Sequence, residues 1–476
     1  MDNDLLVKLY RVGFGDCIYV QIPDGGTCFT MLIDCGTSGS ADPLEAAIDD
    51  VRTMLSHLEA DNGRLDLLVV THPHADHIKG FNPEWFKKIK IERIWLPIFM
   101  NQKHPQAKKM RAFQDLAGRR ADDLLNRSGL ALAPGVKSLL ERSAWNICNT
   151  GALDALRTGL AQQSEIQPDY PLYVARDLAG RQSPEERNRY GLDFEQGTTR
   201  FRGFQEPGTC LRVLAPEWDI DKWYLGQGSF DSIAFVDQYL FETEAYQATS
   251  RTLDQAGPAA MLAEDAPVVA TDQPRNISAQ DFRQLRNRLL YSGLAFSRTD
   301  EALKNNTSVV LLLEWRGRRL LFAGDAEWQG AGVKEDRRNS TWDIMLSIPE
   351  VEQVLLQEKL DLLKVGHHGS RNGTPFKDDG QEQILKSILS ADRTYVVVST
   401  VGGKHGEDNP VPYPKLMKAL GGLAVNKRLY ADTPEPEQQD QDQPDLRVVY
   451  QPQRTDLEPL APSEKLHCVK VTLPGK

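Results

Sequence analysis

Residues 65–82, LDLLVVTHPHADHIKGFN, narrow most what this chain can fold into. The run LDLLVV has no apolar/polar alternation, so it reads as a strand covered on both faces. A strand buried on both sides needs a layer on each side, which points to an α/β architecture. Directly past its end come His72, His74, Asp76 and His77, from a chain with only nine histidines. In layered α/β folds, sites form beyond the carboxyl ends of such strands. Unpaired imidazoles and a carboxylate would be costly to bury without a role. Structural zinc sites are usually cysteine-rich and closed, so the cluster reads as an open metal site with chemistry to do.

Other strand ends repeat the theme. LLVKLYRVG, CIYVQIP and CFTMLIDCG read as strands parted by turns at FGD and DGG, the third ending at Asp34. A helix follows over DPLEAAIDDVRTMLSHL, with Asp42 suited to the N-cap and Pro43 to the first turn. Further on, SVVLLLEW and RRLLFAGD flank a turn, the second ending at Asp325. A helix is expected over 342–359, then DLLKVGHHGS is a buried strand ending at His367 and His368. EQILKSILS and PYPKLMKALGGL read as helices around the strand RTYVVVST. Between the two blocks, 98–300 reads as a largely helical insertion in a catalytic domain spanning 1–432. Residues 433–446 read as an acidic linker and 447–476 as C-terminal strands, LRVVYQPQ and HCVKVTL.

Four strand ends therefore carry Asp34, the H-x-H-x-D-H cluster, Asp325 and the His367–His368 pair. Paired hydrolytic metals need this kind of supply: ligands from one turn divided between two ions, and a bridging carboxylate from a distant strand. The motifs Gly13-Phe14-Gly15-Asp16, Asp34-Cys35-Gly36, Thr71 to Gly80, Asn305-Asn306-Thr307-Ser308, Gly324-Asp325 and His367-His368-Gly369-Ser370 occur in this order. Together they resemble the metallo-β-lactamase superfamily, and within it the nuclease domain of bacterial competence DNA-uptake channels. The resemblance covers roughly 5–100 and 305–432. It implies an αββα sandwich carrying the insertion, and two divalent ions, Zn²⁺ or Mn²⁺. It implies that His72 and His74 hold one ion, Asp76 and His77 the other, that Asp325 bridges, and that His367 or His368 completes the second site. It also implies that Asp16 and Asp34 hydrogen-bond ligating imidazoles. The catalytic set is then Asp76, Asp325 and His368, with a metal-bridging hydroxide attacking phosphorus. Many superfamily hydrolases add a histidine between the cluster and the bridging aspartate. Here that interval holds only His104, which reads as structural, as do His57 and His467.

Composition constrains the substrate less. The chain has 476 residues, a net charge of −11 and no apolar run of membrane-span length, and its N-terminus lacks a signal-peptide pattern. Six cysteines without a C-x-x-C pair suggest reduced thiols and a cytoplasmic protein. Against the acidic total, 87–120 hold ten basic and two acidic residues, beginning beside the metal cluster. Such a stretch is either a solvated helix face or a track for a polyanion, with Lys108, Lys109 and Arg111 as candidate contacts. Lys364, Ser370 and His405 are further candidates for the leaving group or phosphate. The expected function is a phosphodiester hydrolase acting on DNA. The alternatives are a small phosphorylated ester as substrate, or an effector subunit triggered by a protein partner docking on the insertion or acidic tail. No membrane partner is expected.

Overall fold

The computed structural model describes residues 4–58, 64–101, 104–107, 172–174, 192–195, 198–225, 303–329, 340–376, 383–401, 410–423, 430–432 and 468–476, with positions 125, 141 and 176. Its first strands are the antiparallel series read from the sequence: β1 (Leu5–Tyr10), β2 (Cys17–Asp24) and β3 (Thr27–Cys35). Gly25 and Gly26 take positive φ in the DGG turn, where a side chain would be strained. Next come β4 (Arg64–Leu65), β5 (Leu67–Val69), β6 (Lys90–Ile91), β7 (Ile94–Pro97) and β8 (Leu172–Val174). The second half supplies β9 (Leu192–Glu195), β10 (Thr198–Phe201), β11 (Cys210–Ala215), β12 (Val310–Trp315) and β13 (Arg318–Phe322). It ends with β14 (Leu362–Lys364), β15 (Tyr395–Val401), β16 (Tyr430–Asp432) and β17 (Cys468–Leu473).

These strands build a seven-stranded sheet, β17-β1-β2-β3-β5-β7-β8, and an eight-stranded sheet, β16-β15-β14-β13-β12-β11-β10-β9, with β4 and β6 as a short separate pair. The two large sheets form the mixed α/β sandwich expected, around one continuous apolar core. Trp315 on β12 donates its indole N–H to the Pro23 carbonyl on β2 at 2.9 Å, a direct tie between the sheets. The Asp24 carboxylate makes another, accepting from the backbone of Gln205 and Glu206 at 2.9 and 2.6 Å.

Strands β8 to β11 come from the stretch that the sequence reading assigns to a helical insertion. The two sheets take them up: β8 pairs parallel with β7, and β11 pairs antiparallel with β12. Cys210–Ala215 is buried along its whole length, so it needed covering on both faces. At the other end, β17 pairs antiparallel with β1 over six residues, as the edge-strand reading of HCVKVTL expects. The segment LRVVYQPQ, the acidic stretch, and Cys148 lie outside the described residues.

The helix Asp42–Ser56 turns Leu44, Ala47, Ile48, Val51 and Leu55 inward, the three-to-four spacing of an amphipathic face. It starts one residue earlier than expected, with Ala41 as N-cap and Pro43 in the first turn. The helix expected over 342–359 is instead two, Thr341–Ser347 and Pro349–Leu356. Pro349 imposes the break: its ring pushes the preceding residue out of helical space, and Ile348 is extended at φ −98°, ψ 109°. No helix among the described residues is long and apolar enough to cross a membrane.

The parallel pairs β3-β5-β7 and β13-β14-β15-β16 carry the site. Their carboxyl ends lead into Asp34, the 71–77 turn, Asp325 and the 367–370 turn, so residues more than 330 positions apart in the chain meet at one edge of the sandwich.

Candidate metal centre

The 71–77 turn is pressed against the end of β3 by backbone contacts that glycine permits. Asp16 N–H donates to the Asp76 carbonyl at 2.9 Å, and Gly36 N–H to the Asp16 carbonyl at 2.8 Å. A Cβ on Gly36 would collide with the Asp76–His77 backbone, so the D-C-G motif leaves room for the histidine turn. Asp34 itself sits at φ 57°, a left-handed conformation that aspartate tolerates better than most residues.

Ring orientations follow from hydrogen-bond logic. The Asp34 carboxylate accepts from the Thr71 backbone N–H at 2.7 Å, the Thr71 hydroxyl at 2.6 Å and His77 Nδ1 at 2.7 Å. The last bond fixes the His77 proton on Nδ1 and turns Nε2 to the cluster. The Thr71 hydroxyl has spent its proton on Asp34, so toward His72 Nδ1 at 3.2 Å it can only accept. His72 therefore also presents Nε2. His368 Nδ1 donates to the Ser399 carbonyl on β15 at 2.8 Å, with the same result. Such outer partners are how proteins aim imidazoles at a metal.

The presented atoms fall into two groups sharing one carboxylate. Asp76, His77, Asp325 and His368 form one, and His72, His74 and Asp325 the other, each with ligand atoms within 4.8 Å of one another. His77 Nε2 lies 3.2 Å from Asp325 Oδ1, and His368 Nε2 lies 3.2 Å from Asp76 Oδ2 and 3.7 Å from Asp325 Oδ2. His72 Nε2 is 3.6 Å from Asp325 Oδ2 and is hydrogen-bonded to His74 Nδ1 at 3.0 Å. Despite these separations, His77 Nε2, His368 Nε2 and Asp325 Oδ1 are buried without a hydrogen-bond partner. Atoms that approach closely without bonding to one another converge on a point between them, which fits a cation. A third group, Asp16, Asp34 and His77, is closed differently: His77 gives its proton to Asp34, and the Lys364 ammonium sits on Asp16.

The electrostatics differ between the two groups. Burial, together with the charge of His77, holds His72 well below the ordinary imidazole range. Burial and then the Lys304 ammonium lower His74 to about 3. Both rings are thus neutral, the form that ligates. Burial opposes charge on His77 and His368 as well, but Asp325 with Asp34, and Asp325 with Asp76, outweigh it and raise both. Burial would likewise raise Asp76 and Asp325, but the neighbouring imidazoles hold both down as carboxylates.

Among the sequence candidates, His72, His74, Asp76, His77, Asp325 and His368 meet here. His367 does not, because two consecutive left-handed residues, His367 at φ 48° and His368 at φ 51°, send only the second ring inward. A strand would also separate the two rings by alternation, but this turn does it by backbone conformation. Asp34 accepts from His77 Nδ1 at 2.7 Å. Asp16 is 3.8 Å from His77 Nδ1 and pairs instead with Lys364. Lys364, a candidate for the leaving group or phosphate, is corrected by its burial at 1% exposure in that ion pair. Ser370 donates to Asn372 Oδ1 at 2.9 Å and is buried, which is the behaviour of a turn residue. His104 donates from Nε2 to the Trp218 carbonyl at 3.0 Å while its Nδ1 accepts from Ala107, so it is structural. Lys108, Lys109, Arg111 and His405 lie outside the described residues. Sequence reasoning missed Thr71, whose only signal is its place before the first histidine, and Lys304 and Ser399, which carry none.

Comparison with known proteins agrees with the fold and the cluster. Residues 10–135 match the family model described as "Metallo-beta-lactamase superfamily". A stretch of 92 residues is 36% identical to ComE operon protein 3 of Bacillus subtilis (strain 168), covering 19% of this chain and only 10% of that protein. The family-model match begins at the last residue of β1 and runs through the whole histidine turn, and the remaining ligands follow the second sheet's strands. Over residues 10–135 the chain is thus similar to the metallo-β-lactamase superfamily, and Asp325 and His368 join the site from beyond that match.

Proposed function

We propose that this chain is a phosphodiester hydrolase with two divalent ions, Zn²⁺ or Mn²⁺, acting on DNA. The observation that carries the reading is Asp325, one carboxylate shared between two groups of convergent, buried donors. A pair of cations held by these residues would supply an activated water and neutralise charge on a phosphate in displacement. The chain's own residues do the rest. Asp34 and Ser399 hold His77 and His368 in the ligating tautomer, and Thr71 does the same for His72. Phe14 packs on the His368 ring at 4.2 Å and covers that side of the cluster from water. His/carboxylate donor sets suit zinc and manganese alike. DNA as substrate is supported by the sequence resemblance to the competence-channel nuclease domain and by the basic stretch over 87–120. A reducing, cytoplasmic setting belongs to the same proposal, supported by the five cysteines among the described residues, all buried free thiols.

The test is incubation of purified protein with single- and double-stranded DNA, RNA and bis(p-nitrophenyl) phosphate, with and without Mn²⁺ or Zn²⁺, beside Asp325→Ala. Metal-dependent DNA cleavage that Asp325→Ala abolishes, with loss of bound metal, is expected. Cleavage of the small ester alone would replace DNA by a small phosphorylated substrate. Activity only with a co-purifying protein would make this a triggered subunit, and full turnover by Asp325→Ala would sink the site.

A further inference from the structure

Two consecutive non-glycine residues in left-handed space, His367 and His368, persist only where their surroundings over-determine them. Backbone bonds hold the far side of this turn: Tyr413 N–H donates to the Gly369 carbonyl at 2.8 Å, and Trp328 N–H to the Asn372 carbonyl at 2.7 Å. At its start, His367 N–H donates to the carbonyl of Gly324, the residue before Asp325, at 3.1 Å. The His367 side chain adds a further hold. Asn305 Nδ2 donates to Glu327 Oε1 at 2.9 Å and stands 3.5 Å from His367 Nε2. A ring nitrogen facing an amide NH₂ accepts, so the His367 proton is on Nδ1, which faces Glu327 Oε1 at 3.6 Å. The three side chains thus close on one another. Glu327 is anchored outside them as well. Asn306 Nδ2 donates to its Oε2 at 3.0 Å, Asn306 Oδ1 accepts from Thr341 N–H at 3.0 Å, and Trp342 N–H donates to the Glu327 carbonyl at 3.0 Å.

These groups stand on three adjacent strand ends of one sheet. Asn305 and Asn306 precede β12, Glu327 follows β13 two residues after Asp325, and His367 follows β14 one residue before His368. The brace therefore spans the two ligands that follow the second sheet's strands, His368 and Asp325, whose Nε2 and Oδ2 lie 3.7 Å apart. We propose that Glu327, His367 and Asn305 are positioning residues, a closed brace that sets the His368 ring against Asp325. The inference rests on the two-ion reading of the centre. His368 belongs to the group of Asp76, His77 and Asp325 and not to that of His72 and His74. Asp325 has a hold of its own, its N–H donating to Ser308 Oγ at 3.3 Å, which stays when the brace opens. Opening the brace therefore weakens one ion and spares the other. An ion pair that merely stiffened the turn would favour neither.

Metal binding tests this without any assay of activity. Apoprotein is titrated with Mn²⁺ by calorimetry for wild type, His367→Asn, Glu327→Ala and the double variant. Anomalous scattering from crystals at half-saturation assigns each binding step to its position. Asparagine tolerates the left-handed backbone, so His367→Asn removes the imidazole and leaves the conformation of the turn. Each single variant should bind the Asp76/His77/His368 ion about 10-fold more weakly, as when other residues that orient ligands are lost. Affinity at His72/His74 should stay near wild type. The double variant should lose no more than the worse single one, because the two residues act through one brace. Urea unfolding of the apoprotein checks that each variant is folded, and if Glu327→Ala is not, the split between the two ions in His367→Asn decides. Equal weakening of both ions would show a general loosening of the fold, and additive losses would show two unrelated contacts. Either result overturns the brace, as does wild-type affinity at both positions in His367→Asn. The two-ion reading fails separately: wild type that binds fewer than two ions sinks that reading and the brace with it, whereas two ions without a split sink only the brace.

Discussion

Asp34→Asn isolates what a buried carboxylate contributes to the centre without being one of its ligands. Asparagine tolerates the left-handed backbone at φ 57°, so the substitution changes charge and hydrogen bonding and leaves the turn unstrained. The carboxylate accepts three bonds, one on Oδ1 from Thr71 N–H and two on Oδ2 from the Thr71 hydroxyl and His77. An amide keeps at most one oxygen. If it keeps the Oδ2 contacts, its NH₂ faces the Thr71 N–H, and a buried donor left unpaired costs roughly 1–3 kcal/mol. The bond to His77 also loses its charge, a difference of about 1 kcal/mol. The metal-free protein should therefore lose roughly 2–4 kcal/mol, by the same principle. His77 is no longer held with Nε2 toward Asp325, so metal affinity should fall about 10- to 100-fold, as for other outer partners of ligating histidines. Chelator competition with Mn²⁺ and Zn²⁺ measures the affinity, and urea unfolding of the apoprotein measures the stability. Wild-type affinity in a destabilised Asp34→Asn protein would show that Asp34 supports the turn but not the ligand, refuting the tautomer argument.

Among the described residues, the group of His72, His74 and Asp325 has one ligand fewer than its neighbour, so its ion should leave first on mild chelation. Anomalous scattering that finds it occupied beside an empty Asp76/His77 position would reverse this order and point to a further ligand. Reversing Lys108, Lys109 and Arg111 to Glu should lower the salt dependence of DNA binding by about 0.9 per lost phosphate contact. The same variant should still cleave bis(p-nitrophenyl) phosphate, and an unchanged salt slope would return the stretch to a solvated helix face. Asp361 binds Arg318 Nη1 at 2.8 Å, Arg393 Nη2 at 2.7 Å and the Arg319 backbone at 2.9 Å. Burial alone would raise its pKa, but Arg393 and Arg318 outweigh it and hold the carboxyl low. Its stabilisation is therefore present above about pH 4, the unfolded carboxyl value, and fades as pH falls through the lower folded value. Asp361→Asn should flatten that acid limb in pH-dependent melts, and an unchanged limb would remove Asp361 as its source.

Much of the site was legible in the chain because its chemistry is local. Two-faced burial of LDLLVV is written in consecutive residues, and so is the crowding of three histidines and an aspartate behind it. The same holds for Asp34 and Asp325, each at the end of an apolar run, and for the glycines that let backbones touch. What the chain did not disclose depends on which distant groups arrive as neighbours. The choice of His368 over His367 rests on two left-handed residues and on the Ser399 carbonyl, 31 positions away. Lys364 and Ser370 read as substrate contacts only until Asp16 and Asn372 stand beside them. Strands β8 to β11 read as part of an insertion because the burial of short segments is set by the sheet that receives them. Residue types and their order along the chain specify which ligands are on offer. Only the packing of two sheets decides which atoms face one another across a few ångströms, and that distance decides whether a histidine is a ligand, a brace or an idle neighbour.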